Sequence, residues 1–511
     1  MSEAAAADAE NRGFVRELGL LDSVMIVAGS MIGSGIFIVS ANVARQLGSA
    51  GWLLLAWIVS GLLVAMAAVS FGELAAMMPR VGGQYVYLRE AFSPVWGFLY
   101  GWTLFLIVQT GSIAAVAVAF ARFLEVLVPA VSGTAWIVPP IDISPGYAVS
   151  LSVQQLVAIV LIVFLTLLNT RGVRVGKLVQ NSFTWAKVLA LAGLIVLGIF
   201  VGRNAAAIEA NFSDLWTPRD VVTVTPDLLP VPPVAASDGG LALLVVFCVA
   251  MVGPLFAAGS WNDVTFAAAE IRNPQRNLPL ALAAGVGVVV LLYVLANLAY
   301  LQTLSLDEIR TAPEDRVATA VLEAIVGGAG ASVMAIAILI STFGCNNGLI
   351  LAGARVYYAM ARDGLFFRPT GRLNRFHVPA VGLAVQCVWA SFLVVPRTRL
   401  RDAAGAPLLD VSGAPRYGNL YANLLEYVVF AVLLFYVITI VGLFVLRRKR
   451  PDAERPYRAF GYPVVPLLYI LGASLVVVAL LVYRTETTWP GLLLVLTGVP
   501  VYALWSKLGA R

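Results

Sequence analysis

Apolar residues run through this chain in long blocks separated by short polar stretches, and block length decides the class. Blocks close to the roughly 20 residues that cross a bilayer as a helix fall near 20–47, 52–78, 95–128, 153–170, 180–202, 241–269, 280–303, 331–361, 378–396, 421–446, 463–483 and 489–507. Twelve spanning helices and an all-α integral membrane fold are therefore expected. Two of the blocks are interrupted. Gly29-Ser30-Met31-Ile32-Gly33-Ser34-Gly35-Ile36-Phe37 carries three glycines inside the first, and Gly253-Pro254-Leu255-Phe256-Ala257-Ala258-Gly259-Ser260-Trp261 lies inside the sixth. An unpaired backbone N–H or C=O costs several kcal/mol in hydrocarbon, so unwound chain at that depth persists where it lines an enclosed site. The other reading of either segment is that small residues let helices pack closely.

Paired interruptions at corresponding places in two halves of a polytopic chain point to the binding site of a secondary transporter built from inverted repeats. With 511 residues, 60% hydrophobic and 12% charged, the composition excludes a water-soluble globule. Met1 to Leu18 is polar, mixes acids with Arg12 and Arg16, and has no apolar core of a signal peptide. With that tail placed inside, most of the base falls on inner loops: Arg80 and Arg89; Arg171, Arg174 and Lys177; Arg272 and Arg276; Arg362 to Arg375; and Arg447-Arg448-Lys449-Arg450. The positive-inside rule then predicts a multi-pass protein of the cell's inner (plasma) membrane with both termini cytoplasmic. Arg397, Arg399 and Arg401 fall outside and run against the rule. Topology accounts for the net charge of +6, so no nucleic-acid surface is read into it.

Cys248, Cys345 and Cys387 lie in apolar blocks, which indicates no disulfide framework. His377, the single histidine, sits in a basic inner loop, and no GxxxxGK[ST] sequence occurs. No cofactor, no metal site and no enzymatic activity are expected. The long loop from Arg203 to Gly240 should lie outside, as a lid or as loosely packed chain. Pro79 to Phe92 mixes aromatic and charged residues as an interfacial helix along the inner face would. Among acids and bases within the blocks, Lys187 stands about two turns into the fifth, where it costs roughly 2.5–3.5 kcal/mol unless paired or solvated. It serves there as a fixed cation, as a proton carrier, or as a residue snorkelling to the inner interface. Arg355 and Glu270 suit snorkelling or an ion pair, and Glu73 and Glu426 are intermediate.

Gly33-Ser34-Gly35-Ile36-Phe37, Gly82-Gly83-Gln84-Tyr85-Val86-Tyr87, Phe256 to Asn262 followed by Glu270 to Pro279, and Glu454-Arg455-Pro456-Tyr457 stand in this order along the chain. They resemble the L-type amino acid transporter family of the amino acid–polyamine–organocation superfamily, from about Leu18 to Lys507. The resemblance implies a LeuT-type fold, with two five-helix inverted repeats, helices 1 and 6 broken, and two additional C-terminal helices. The corresponding segments are a tail at 1–18, repeats at 19–202 and 241–447 flanking the 203–240 loop, a basic loop at 448–462, and a final pair at 463–511.

Carried over by position, the resemblance puts a substrate carboxylate on the amides of Ser34 and Gly35, at the positive end of a half-helix. It puts the amino group on main-chain oxygens of Met31, Phe256 and Gly259. Phe256 also matches an aromatic gate above the substrate, Trp261-Asn262 a pair at the pocket floor, and Cys345 the side-chain pocket. Lys187 aligns with a lysine that replaces the cation of sodium-coupled relatives and ties the region of Ala28, Gly29 and Ser30. Two departures stand out. Pro129 to Ser152 holds no cysteine, so no disulfide-linked ancillary subunit is expected, and Ala361 to Phe367 leaves the family pattern after Gly364. The sequence thus predicts a sodium-independent exchanger of neutral amino acids working by alternating access. A proton-coupled or cationic amino acid carrier is the alternative, with Asp263 as its candidate acid, followed by a non-transporting receptor or a channel.

Overall fold

The computed structural model describes residues 16–144, 146–171, 173–219, 240–399, 407–409, 415, 417 and 420–509. The tail up to residue 15 and most of the 203–240 loop, from 220 to 239, lie outside the described residues. Helices dominate: α1 (Leu20–Met31), α2 (Gly35–Leu47), α3 (Ala50–Met77), α4 (Gln84–Ala91), α5 (Pro94–Leu127), α6 (Val153–Asn169), α7 (Val173–Val196), α8 (Gly240–Ala257), α9 (Asp263–Phe266), α10 (Pro274–Thr303), α11 (Gly328–Arg362), α12 (Ala380–Leu393), α13 (Leu420–Lys449), α14 (Val464–Tyr483) and α15 (Thr485–Gly509). Among the described residues nine helices are long and apolar enough to cross a membrane, and α1 with α2, bent by 41°, make a tenth. The blocks near 153–170 and 378–396 fold as the shorter α6 and α12, of 17 and 14 residues.

Both interruptions are real breaks of helix. α1 stops where Ile32 leaves helical geometry at ψ +86°, and α2 restarts at Gly35. α8 stops at Ala257, Ser260 takes the left-handed φ of +62°, and α9 is a single turn followed by a 3₁₀ turn. The sixth block is thus shorter as helix than its apolar length implied. Pro254 removes a backbone donor near the stop, and small residues around it let neighbouring chain approach.

Three expectations need correction. The fold is not wholly helical: β1 (Trp136–Ser144), β2 (Tyr147–Ser152) and β3 (Pro396–Thr398) form an antiparallel sheet in the order β1-β2-β3. Isoleucine and valine favour the pleated strand there, and the sheet uses two arginines that ran against the charge rule. Arg397 lies 4.8 Å over the Trp136 ring and Arg399 pairs with Asp142 at 3.1 Å. Secondly, the segment expected along the surface is buried. Gln84 to Leu88 of α4 have almost no exposed area; the polar ends of Gln84 and Tyr85 find protein partners, such as Asp363 for Tyr85 Oη at 2.6 Å. Thirdly, the described start of the outer loop is anchored, not loosely packed. Asn211 Nδ2 donates to the carbonyls of Leu301 and Leu304 at 2.7 and 2.9 Å, and the Gly51 amide donates to Leu215.

The acids inside the helices are held by arginines, Glu73 and Glu270 at the basic end and Glu426 at the other. Glu73, fully buried, accepts from Arg447 at 2.6 Å and lies 3.3 Å from Arg455. Glu426 lies 3.5 Å from Arg484. Glu270 takes the Arg355 guanidinium in two bonds of 2.7 and 3.1 Å, with both residues buried. Deleting one member of such a pair strands the other charge, at about 3–5 kcal/mol. Glu270→Ala is therefore expected to melt well below wild type in detergent, and adding Arg355→Met to recover most of the loss. Unchanged melting of Glu270→Ala would show that the pair holds nothing.

Candidate functional site

The unwound stretch between α1 and α2 exposes carbonyls that no helix bond satisfies, and side chains from three other helices meet them. Lys187 of α7, wholly buried, donates from Nζ to the carbonyls of Gly29 at 2.7 Å and Ile32 at 2.9 Å. Ser341 of α11 donates to Ile32 and Gly33 at 3.2 and 3.1 Å, and the Cys345 thiol reaches the Ser30 carbonyl at 3.2 Å. Tyr293 of α10 places its hydroxyl 2.8 Å from the Met31 carbonyl and 3.0 Å from that of Ala257. One phenol thus joins the ends of the two broken helices. The two half-helices also touch directly. A Cβ added at Gly35 would stand 2.5 Å from Cβ of Ala257, so only glycine permits this approach.

Beneath the breaks a polar knot fixes Asn262. Its Nδ2 donates to Gln84 Oε1 at 3.0 Å, and Tyr436 donates to its Oδ1 at 2.7 Å. Gln84 Nε2 continues to Thr439 at 2.9 Å. Trp261 packs edge-on to Phe71 with centroids 4.9 Å apart and lies 5.0 Å from the Tyr436 ring.

A cavity of about 60 Å³ lies between these elements, and Met31, Ser34, Gly35, Phe256, Gly259, Asn262 and Cys345 all line it. Lys187 is set behind it, bracing the break. Phe256 is half-buried at its edge. Ser34 and Gly35, at the start of α2, line this space. Two geometric facts qualify the roles read from sequence. The Met31 carbonyl already accepts from Tyr293 and from the Gly33 amide, the latter at 2.9 Å, which fills its two lone pairs. Gly35 faces Ala257 closely, so bulk there parts the half-helices before it reaches any ligand. Tyr293, Ser341 and Gln84 escaped the sequence reading. A tyrosine or serine in mid-span was the signal for the first two, and burial of α4 hid the third.

The family model described as amino acid permease matches residues 18–503. The chain belongs to the amino acid permease family. It is 27% identical over 500 residues to the serine/threonine exchanger SteT of Bacillus subtilis, covering 96% of this chain and 97% of that one. It is 29% identical over 496 residues to the b(0,+)-type amino acid transporter 1 of Mus musculus, at 96% and 88% coverage. It is 30% identical over 497 residues to the large neutral amino acids transporter small subunit 2 of the same species, at 96% and 81%. The likeness to the L-type branch of the superfamily therefore extends over nearly the whole permease.

Two variants test the contact between half-helices. Gly35→Ala overpacks it, at about 1–3 kcal/mol, and should lower the melting temperature. Ala257→Gly in the same protein should restore only part of it, because the new Cβ would still stand 2.7 Å from the Ala257 Cα. Unchanged melting of Gly35→Ala would mean that the half-helices part without cost.

Proposed function

We propose that the permease is a sodium-independent exchanger of neutral amino acids that works by alternating access around the cavity between its broken helices. The observation that carries this reading is the Lys187 ammonium at 2.7 and 2.9 Å from the carbonyls of the first break. A covalently fixed cation there takes the acceptors that a mobile sodium ion would need, so the break is held with no ion to bind or release. Exchange is supported by the likeness to SteT, a serine/threonine exchanger.

In this reading the substrate carboxylate meets the amides of Ser34 and Gly35, and its amino group meets the oxygens of Phe256 and Gly259, while Met31, whose oxygen is taken by Tyr293 and the Gly33 amide, lines the site without binding the amino group. Phe256 covers the substrate and Cys345 borders its side chain. The ten long or bent spans with the shorter α6 and α12 support a twelve-helix LeuT-type arrangement, with repeats at 19–202 and 241–447 and the extra pair at 463–511. The base-rich end that holds Arg447 and Arg450 supports an inner-membrane protein with cytoplasmic termini. Cys248, Cys345 and Cys387 all sit in helices or their packing, which supports a permease working without a disulfide-linked subunit.

Proteoliposomes test the reading. Labelled neutral amino acid should enter much faster when unlabelled amino acid is preloaded, and equally in sodium and choline buffers. A strict sodium requirement, or uptake indifferent to preloading, would overturn it. Lys187→Ala leaves the Gly29 carbonyl without its side-chain donor in a dry site, at about 1–3 kcal/mol, and leaves Ile32 with Ser341 alone. Weaker substrate affinity and slower exchange are expected, and wild-type values for both would remove the tether role.

Phe256→Ala should depress exchange more than it depresses melting temperature. A proportional fall in both would mark Phe256 as packing alone, since cavity creation by itself costs roughly 3–5 kcal/mol for this substitution.

A further inference from the structure

A second cavity, of about 470 Å³, lies where α5, α12, α13 and α15 meet the three-stranded sheet. That is within the roughly 300–1,000 Å³ of small-molecule sites. Ile107, Leu393, Leu424 and Leu494 are typical of its walls, and Gly111 leaves space that a larger side chain would take. Polar groups gather at one end, where the sheet contributes Tyr147, Arg397 and Thr398. The Tyr147 hydroxyl sits 3.3 Å from that of Tyr427, and Arg397 Nη2 reaches the Gly133 carbonyl at 3.4 Å. No acid lines the cavity among the described residues. At the far end Thr497 takes the Trp102 indole at 3.0 Å and gives its own proton to the Leu494 carbonyl at 2.6 Å. From Pro490 to Thr497 α15 rises about 10 Å, against roughly 15 Å for half a hydrocarbon core.

The cavity opens sideways. Leu493 and Leu494 on its rim are 60% and 40% exposed, as is Phe392 beside Leu393 at 56%. In a membrane-spanning chain such side chains meet acyl chains. Water in the cavity would need polar partners that its apolar walls do not supply, and empty space forfeits the dispersion contacts of the lining. The opposite wall is shared with the cavity between the broken helices. Leu106 and Ile107 belong to a π turn in α5 at Leu104–Val108, while Leu104 and Val108 of the same turn face the other cavity. Val428 of α13 lines both, and a Cβ added at Gly111 would stand 2.9 Å from its Cγ2. A single layer of side chains thus separates the two spaces.

We propose that this second cavity binds one acyl chain of a phospholipid, with the phosphate at Arg397, so that lipid braces the partition between the two cavities. The guanidinium suits a phosphate, it stands where a headgroup would lie, and the apolar walls begin directly below it.

A phosphatidylglycerol carrying a photoreactive diazirine midway along one chain tests this in the full protein, reconstituted into phosphatidylglycerol and phosphatidylethanolamine vesicles. Irradiation should label peptides holding 106–111, 424–428 or 490–497 above the other lipid-facing helices. Leu494→Trp, at an exposed position that tolerates bulk, fills the cavity. Each methylene kept out costs about fourfold in binding, so displacing two should lower this label about tenfold or more. Label spread evenly over the lipid-facing helices, or undiminished in Leu494→Trp, overturns the site. If Leu494→Trp is not recovered folded, Arg397→Gln removes the phosphate's partner and is judged by the same outcomes. In detergent, added phosphatidylglycerol should raise the melting temperature of wild type more than that of the filled variant, and an equal shift in both overturns the bracing role. Neither measurement uses transport, so the exchange reading can fail while the lipid site stands.

Discussion

The structure turns on one obligation: a backbone that leaves the helix in mid-membrane must have its carbonyls bonded by something other than water. Here the bonds come from Lys187, Ser341, Cys345 and Tyr293, drawn from α7, α11 and α10. Each of those helices is held in register by what it gives to the break. Lys187 answers the obligation with charge, since an ammonium offers three donors and can serve two carbonyls at once. Its own burial is tolerable for the same reason, because the acceptors around it replace lost hydration. The broken segment and the buried lysine are therefore two halves of one arrangement.

Glycine supplies the complementary freedom. At Gly35 the absence of a Cβ lets α2 meet α8 at Ala257, and at Gly33 a Cβ would stand 2.9 Å from the Cys345 sulfur. The breaks are thus closely packed as well as bonded, which leaves a small cavity with well-defined walls. The acids elsewhere follow another pattern. Glu73 and Glu270 are bound to arginines at the basic end and hold helices together, whereas Asp263 faces the cavity with an oxygen unmet.

Much of this was legible in the sequence because it is written in local terms. Block length announced the spans, and glycine clusters inside two blocks announced the breaks within a few residues. Lys187 was conspicuous because charge is rare at such depth. What escaped reading depends on distant partners. The Pro79 to Phe92 segment has the mixed composition of a surface helix, and only Thr439, Phe435 and Asn262, far along the chain, make burial of Gln84 possible. The strands around Trp136 and Arg397 were hidden because β1 and β2 form a short hairpin within one loop and the three-residue β3 reaches it from a remote one, which leaves no long-range signal in either. The sixth block misled in the opposite direction, since its apolar character continues past Ala257 although its helix does not.

Tyr293 carries a consequence of its own. A phenol has a single proton, yet its oxygen sits within bonding distance of carbonyls on both broken helices. Were α1 and α8 to part, the proton would go to one carbonyl or the other. The side chain would then act as a mechanical selector with two settings, and the relinquished oxygen would become an acceptor between the half-helices. Opening the gap and creating a new place to hold a donor would be the same event.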